Sequence, residues 1–335
     1  MNYLYYKQNK SDFILREYGI HANNIETDFS DNSISFIPTD LSKDDYVKLF
    51  NTYNNYNILF VLDFTFEAYT DNVICKNFYD AVLISNTHYN RVLLLYNNTY
   101  QSGLNSYFYD NQIINTLSFP RWYYEYGAYI DNDALNRFDY GEYDFSCFNF
   151  IGRPHKKDTV QYIDSTDINC ISTYVHNRDF ECRTLQSVDN PPYDGLDKHI
   201  YYYGKINICT ETMYYNETNG FSNIIHLTEK VYRNLFYKIP FTLISNKHAL
   251  LYLKTLGFKT FDSLIDESYD YESDDIRYIK SVESAKLLLN FWKSSELDDI
   301  LSYNRQHFTN KTNTDLHFNK NIITNLETKL KLIKK

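Results

Sequence analysis

The chain has 335 residues, enough for one large α/β domain or for two domains of about 150 residues each. Its composition, 43% hydrophobic and 23% charged, is that of a globular protein and excludes extended disorder. The net charge of −10 is the opposite of the positive charge usual in chains dominated by nucleic-acid binding. No apolar run approaches the roughly 20 residues of a membrane helix.

The first 140 residues contain short apolar runs separated by polar turns rich in Asn and Asp. Each run has the length of a buried strand. The runs are Ser33–Pro38, Asn57–Phe64, Asp80–Ser85 and Arg91–Tyr96. Between the first two, residues 40–50 keep a helical period behind a capping Asp or Ser, which predicts a helix. Strands that alternate with helices favour a parallel sheet.

A second alternation of strands and helices begins near Gly141. The predicted strands are Asp144–Ile151, Ile168–Tyr174, Lys205–Thr210 and Phe241–Ser245. The predicted helices are one that ends at Ile163, then Glu229–Phe236, then His248–Leu256 closed by Gly257, and a last one in the tail Asn321–Lys335. The sequence therefore predicts domains at residues 1–140 and 141–310, followed by a C-terminal helix or tail at 311–335.

The turn from Gly152 to Lys157 follows a predicted strand and opens a helix. It carries three cations and one His at a point where backbone N–H groups and the helix dipole favour an anion. A phosphate site and an ordinary solvated basic turn are both open at this point.

Thr228, Glu229 and Lys230 form the first turn of another predicted helix, with Thr228 as the N-cap. The carboxylate of Glu229 can accept hydrogen bonds from a ribose diol, and the ammonium of Lys230 can neutralise a phosphate. The alternative is a capped helix with a favourable acidic residue in its first turn.

Four blocks of the second half carry a longer pattern: a strand that ends in Glu-Thr, Thr-Glu-Lys at the start of a helix, a Pro-Phe strand and a closing Leu-Gly-Phe segment. The blocks are Asn207–Thr212, Leu227–Val231, Ile239–Ile244 and Leu250–Phe261. This pattern resembles the donor-binding half of the fucosyltransferase-like glycosyltransferases, especially their compact bacterial and phage-encoded members. The resemblance covers roughly residues 144–270. It implies an α/β fold of the GT-B type, in which two Rossmann-like domains face a central cleft.

The resemblance also implies roles for individual residues. Glu229 would bind the nucleotide ribose, Lys230 the diphosphate or the sugar ring, and Arg153 the diphosphate. Thr228 would cap the helix that presents this pair, and Glu211 would lie near the donor sugar. The implied activity is transfer of a sugar from a nucleotide-sugar donor to an acceptor hydroxyl, with inversion and without a bound metal, because cations and a helix N-terminus stabilise the leaving diphosphate.

An inverting transfer needs a base for the acceptor hydroxyl, and we expect it in the first half of the chain. Asp63 and Glu67, at and just beyond the end of the second predicted strand, are the candidates, and Glu125 is a further one; each could instead be an ordinary loop acid. The segment Asp131–Asp133 has the Asp-x-Asp spacing of metal-dependent glycosyltransferases but lacks a strand before it. No metal ligand and no cofactor is therefore predicted.

The five cysteines are scattered, with no Cys-x-x-Cys pair, which indicates reduced thiols and a cytoplasmic location. The Asn- and Tyr-rich composition is typical of an AT-rich genome and suits a phage or viral gene, in which case the location is the host cytoplasm. The predicted partners are a nucleotide-sugar and a glycan acceptor. Modified phage DNA is a second acceptor hypothesis that the acidic charge disfavours, and a catalytically inactive relative that serves as a binding or structural protein is the alternative function.

Overall fold

The computed structural model describes residues 2–6, 23–25, 33–37, 41–64, 72–87, 91–96, 115–118, 142–149, 153–176, 179–182, 203–214, 225–310 and 324–333. The chain forms two compact units, one of Met1–Ala128 together with Thr312–Lys335, the other of Tyr129–Lys311. The boundaries predicted from sequence lie at residues 140 and 310. The C-terminal segment, which the sequence sets apart as a tail, is grouped with the first unit.

The first unit contains a six-stranded sheet. Its strands are β1 (Asn2–Tyr6), β2 (Asn23–Ile25), β3 (Ser33–Ile37), β4 (Ile58–Phe64), β5 (Val92–Tyr96) and β6 (Asn115–Ser118). They lie in the order β2-β1-β3-β4-β5-β6, and each neighbouring pair is parallel. The predicted strands at β3, β4 and β5 are confirmed, and so is the parallel sheet.

Two helices, α1 (Lys43–Thr52) and α2 (Asn72–Ile84), belong to the first unit. Ser42 caps α1, as predicted, by accepting a hydrogen bond from the backbone of Asp45. The ring of Phe50 packs edge-on against Phe60 of β4 and against Phe78 of α2, which joins the helices to the sheet in one aromatic core.

The predicted strand at Asp80–Ser85 is wrong, because these residues form the end of α2 and the turn after it. Phe78 and Val82, one helical turn apart, are buried, whereas the consecutive Leu83 and Ile84 are 50% and 59% exposed. A strand would alternate between two faces instead. A short apolar run has the same composition in a strand and in a half-buried helix, so its period over six residues could not distinguish them.

The second unit contains a five-stranded sheet. Its strands are β7 (Tyr143–Phe148), β8 (Cys170–His176), β9 (Asp179–Cys182), β10 (Gly204–Thr210) and β11 (Phe241–Ile244). Their order is β11-β10-β7-β8-β9, and the described pairs are parallel except for β8 with β9. All four strands predicted for this half are confirmed.

Helices α3 (Pro154–Asp164), α4 (Glu229–Phe236) and α5 (Ala249–Thr255) confirm the predicted helices. Helices α6 (Asp274–Leu289) and α7 (Ser295–Thr309) were not predicted; α6 contacts α3, and α7 contacts α4. A last helix, α8 (Thr324–Ile333), confirms the predicted tail helix and contacts β3 and β4 of the first unit.

Both units are therefore α/β layers with mainly parallel sheets, which confirms the predicted α/β class. The central cleft implied by the resemblance stays a prediction. Among the described residues, no helix is long and apolar enough to cross a membrane.

Candidate functional site

Strands β7 and β10 are neighbours, but the chain leaves them in opposite directions. It passes from β7 through α3 to β8 on one side, and from β10 through α4 to β11 on the other. Right-handed crossovers that run in opposite directions place their helices on opposite faces, as the separate contacts of α3 with α6 and of α4 with α7 also indicate. The carboxyl ends of β7 and β10 therefore form the switch point of the sheet, the usual ligand position in an open α/β sheet.

These two strands are held closely together from their first residues to their carboxyl ends. A Cβ atom on Gly204 would lie 2.5 Å from the backbone nitrogen of Ser146, so a larger residue would force β10 away from β7. The side-chain amide of Asn207 donates to the hydroxyl of Ser146 over 3.1 Å, and the hydroxyl of Thr210 donates to Asn149. The residues that directly follow β7 and β10 are therefore held in fixed positions.

Glu211, the first residue after β10, is fully buried, and both its carboxylate oxygens are hydrogen-bonded. One oxygen accepts from the backbone nitrogen of Thr228 at 2.9 Å; the other accepts from the hydroxyl of Thr228 at 2.5 Å and from the backbone nitrogen of Thr212 at 3.3 Å. Burial raises the pKa of Glu211, although Lys230, 4.0 Å away, favours its ionised form. In this geometry Glu211 holds the start of α4 against the end of β10.

Thr228 is the N-cap of α4, as predicted, and its hydroxyl accepts from the backbone nitrogen of Lys230. The ammonium of Lys230 lies 3.1 Å from the carboxylate of Glu229 and 3.0 Å from the hydroxyl of Thr228. The side chains of Glu229 and Lys230 are 23% and 18% exposed, so this ion pair still reaches the surface. Burial opposes both charges, but their mutual attraction outweighs it, with help from Arg233 at Glu229 and from Glu211 at Lys230: the pKa of Glu229 falls to about 2, and that of Lys230 rises.

Two cations stand at the start of α3. Arg153 is the N-cap of the helix without a capping side-chain bond, and its buried Nε has no hydrogen-bond acceptor among the described residues. Lys156, in the first turn, is only 2% exposed. Burial, followed by the charge of Lys230, lowers the pKa of Lys156 to about 8. Arg153 at the start of α3 and Lys230 at the start of α4 both lower the pKa of Lys156 and that of His226, so the two helix starts share one electrostatic site.

Three stacked side chains, those of His155, Tyr214 and Arg277, pack beside the backbone of Glu211. The Nε2 of His155 lies 2.9 Å from the carbonyl oxygen of Glu211, and its ring stacks on Tyr214 at 4.9 Å. The guanidinium of Arg277 from α6 lies 4.5 Å from the centre of the Tyr214 ring and donates to the carbonyl oxygen of Tyr214. Burial lowers the pKa of His155 to about 3, so the ring is neutral and can donate to the Glu211 carbonyl.

His226 lies just before the Thr228 turn and is 2% exposed. Its Nδ1 is buried and has no hydrogen-bond partner within the described ranges. Burial and the nearby Lys230 lower its pKa to about 3. A neutral imidazole with an unsatisfied nitrogen can therefore supply a donor or an acceptor to a bound polar ligand.

The structure thus gathers the predicted residues Arg153, Glu211, Thr228, Glu229 and Lys230 in one site of the second unit. Asp63 lies in β4, where its side chain is not described. Glu67, Glu125 and Asp131–Asp133 lie outside the described residues. The assignment of a base to Asp63 or Glu67 stays a prediction. In the described part of the chain, no group of three His, Cys, Asp or Glu residues could hold a metal ion.

The sequence analysis included Lys156 only as one of three cations in the Gly152–Lys157 turn, and it did not single out His226. For Lys156 a signal exists, because it lies four and seven residues before the buried Val160 and Ile163, on the inner face of α3. Lys157 next to it falls on the exposed face. For His226 no sequence pattern points to burial beside the helix start.

Comparison with solved structures finds a crystal structure of an alpha1,3-fucosyltransferase. It is 12% identical to this chain, the match covers 92% of this chain and 89% of the other, and the TM-score is 0.39. This is a weak fold-level resemblance to the family that the motifs suggest, and it carries no argument about activity. No family model and no curated protein matches the chain.

Proposed function

We propose that the protein is a glycosyltransferase whose second unit binds a nucleotide-sugar at the carboxyl ends of β7 and β10. One observation carries the proposal: two helix starts, one with Arg153 and the other with Glu229 and Lys230, converge on the switch point of the sheet. Two helix N-termini and two cations suit the two negative charges of a diphosphate. The adjacent carboxylate suits the vicinal hydroxyls of a ribose.

Each residue has a task in this proposal. Arg153 donates to the diphosphate through nitrogens that include the unsatisfied Nε. Lys230 binds the diphosphate or the sugar ring, and Glu229, held ionised by Lys230, accepts from the ribose. Thr228 and Glu211 keep this turn in place. Because these donors are fixed before the reaction, they would stabilise the charge of the leaving diphosphate without a metal ion.

The acceptor side of the reaction belongs to the first unit in this proposal. Asp63 or Glu67 removes the proton of the acceptor hydroxyl, whose oxygen attacks the anomeric carbon as the nucleoside diphosphate leaves, with inversion. A glycan is the proposed acceptor. The net charge of −10 disfavours the polyanionic alternative, DNA.

A thermal-shift screen against GDP-, UDP-, ADP-, CMP- and dTDP-linked sugars tests donor binding. A ligand at 100 times its dissociation constant stabilises the fold by about 2.7 kcal/mol. We expect one base class to bind, and Glu229→Gln and Lys230→Met to weaken that ligand at least about tenfold, the loss expected for a charged hydrogen bond. The matched controls are Glu283→Gln and Lys286→Met, which alter an exposed Glu–Lys pair of α6 with a contact of 2.8 Å.

If none of these ligands binds to the folded wild-type protein, or if the α4 variants bind as well as the α6 controls, the donor site is wrong. Turnover is measured as release of the nucleoside diphosphate in the presence of glycan acceptors. Asp63→Asn or Glu67→Gln should abolish this release and leave donor binding unchanged. Tight binding of a donor that is never consumed would instead support the catalytically inactive alternative.

A further inference from the structure

Lys156 is a nearly buried cation to which no described residue provides a counter-ion within 4 Å. Only 2% of the residue is exposed, yet no described residue forms an ion pair or a hydrogen bond with its ammonium group. A protein gains nothing by burying an unpaired charge, which costs several kcal/mol of hydration. Because Lys156 lies in the first turn of α3, beside the switch point, the missing partner is best sought in a ligand.

The charged groups around Lys156 lead to the same conclusion. Lys230 and Arg153 repel it, while Glu211 and Glu229 attract it. Glu211 already accepts three hydrogen bonds from Thr228 and Thr212, and Glu229 already forms an ion pair with Lys230. Both carboxylates favour the charged form of Lys156 from a distance, but neither forms an ion pair with it.

We propose that Lys156 is a third phosphate-binding cation of the site, that it pairs with a diphosphate oxygen of the donor, and that the protein takes up a proton when the donor binds. This inference rests on the proposed nucleotide-sugar site and adds to it a residue and a pH dependence. A diphosphate esterified at both ends keeps two negative charges between pH 7 and 9. An anion of this kind next to Lys156 favours the protonated ammonium.

The expected change in donor affinity with pH follows from the pKa of about 8 for Lys156 in the unliganded protein. Roughly nine-tenths of the protein carries a charged Lys156 at pH 7 and roughly one-tenth at pH 9. A ligand that binds only the charged form should therefore bind about tenfold more weakly at pH 9 than at pH 7. Among the other described titratable groups, Lys156 acts on His155, whose pKa is about 3, and on Cys147, whose pKa burial raises to about 12, so neither changes its charge between pH 7 and pH 9.

The test is isothermal titration calorimetry with the tightest-binding GDP-, UDP-, ADP- or dTDP-sugar and with its own nucleoside, at pH 7, 8 and 9. Repeating the titration at pH 8 in two buffers of different ionisation enthalpy counts the protons taken up. The nucleoside reports any ionisation of the base itself. The variants are Lys156→Met, which fills the same space without charge, Lys156→Arg, which stays charged throughout, and Lys157→Met as the control on the exposed face of α3.

We expect Lys156→Met to bind the nucleotide-sugar about ten- to hundredfold more weakly, to bind the nucleoside normally and to take up no proton. Lys156→Arg should bind with no pH dependence between 7 and 9, and Lys157→Met should match the wild type. The inference is overturned if Lys156→Met binds the nucleotide-sugar as tightly as the wild type, or if the wild type takes up no proton at pH 8. If Lys156→Met does not fold, the proton count of the wild type decides alone. Failure of the wild type to bind any nucleotide-sugar would instead overturn the proposed function.

Discussion

Replacing Glu211 tests whether a buried carboxylate holds the proposed donor-binding turn. Its two oxygens accept from the backbone and hydroxyl of Thr228 and from the backbone of Thr212, and Lys230 lies 4.0 Å away. Alanine removes both acceptor oxygens, so all of these donors lose their acceptor at once inside a site that water does not reach. Glutamine keeps the shape and one carbonyl oxygen but turns an NH2 group toward one of the donors.

The expected losses differ between the two variants. Loss of one partner from a buried, hydrogen-bonded charge costs about 3–5 kcal/mol, so Glu211→Ala should lower the free energy of unfolding of the second unit by that amount. In Glu211→Gln the hydroxyl of Thr228 can rotate to accept from the new amide, which limits the loss to about 1–2 kcal/mol. Glu283→Gln, whose side chain is 47% exposed, should cost less than about 1 kcal/mol.

Urea unfolding can be followed in the second unit alone. The chain has two tryptophans, and in a Trp122→Phe background Trp292 reports on the second unit only. Each free energy of unfolding is taken from the midpoint and slope of that transition. If both Glu211 variants lose no more stability than Glu283→Gln, the Glu211 network does not hold the start of α4, and the positioning argument fails.

Two further predictions concern other parts of the second unit. Gly257 follows α5 with φ +90°, and an added Cβ would lie 2.6 Å from the ring of His307. Gly257→Ala should therefore lower the free energy of unfolding by about 2 kcal/mol, whereas the exposed control Ser263→Ala should lower it by less than about 0.5 kcal/mol. Equal urea midpoints for the two variants would contradict this prediction. Burial raises the pKa of Glu267 from 4.5 to about 7, so its contribution to stability is full below pH 4.5 and is lost as the pH rises through 7. Between pH 4.5 and pH 8 the free energy of unfolding should therefore fall by about 3 kcal/mol more in the wild type than in Glu267→Gln, and parallel pH profiles would show that Glu267 does not titrate in this way.

Local signals in the sequence were sufficient for the elements that position the site. Thr228 at a cap and Gly257 past a helix end are dictated by backbone chemistry within one turn, and both were predicted. Helices α6 and α7 were not, because their burial depends on packing against distant elements: Arg277 of α6, for example, donates to the carbonyl oxygens of Ser245 and Tyr214. The strand–helix error at Asp80–Ser85 has the same origin, since only packing decides which face of a short apolar run is buried.

The site shows the same division between local and distant information. The Thr-Glu-Lys turn and Arg153 were recognisable because each motif is continuous in the chain. The contact of His155 with the Glu211 carbonyl joins residues 56 positions apart, and no short motif encodes it. The burial of Lys156 was encoded by its spacing from Val160 and Ile163, but a lysine on an apolar face is normally assigned to the surface.

The two carboxylates of the site divide its work between structure and binding. Glu211 has no exposed surface and three hydrogen-bonded donors, so a ligand could contact it only after the Thr228 turn had moved away. Glu229 is 23% exposed and is kept ionised by Lys230 and Arg233, so it can exchange water for a ligand hydroxyl without a change in the backbone. Substitution of Glu211 should therefore reduce stability first and binding as a consequence, whereas substitution of Glu229 should reduce binding directly and also remove the stability that its ion pair with Lys230 contributes. In this site the buried Glu211 positions the Thr228 turn and the partly exposed Glu229 binds the ligand. The site is therefore pre-organised, because the turn is already ordered when the protein folds and need not be ordered when the ligand binds.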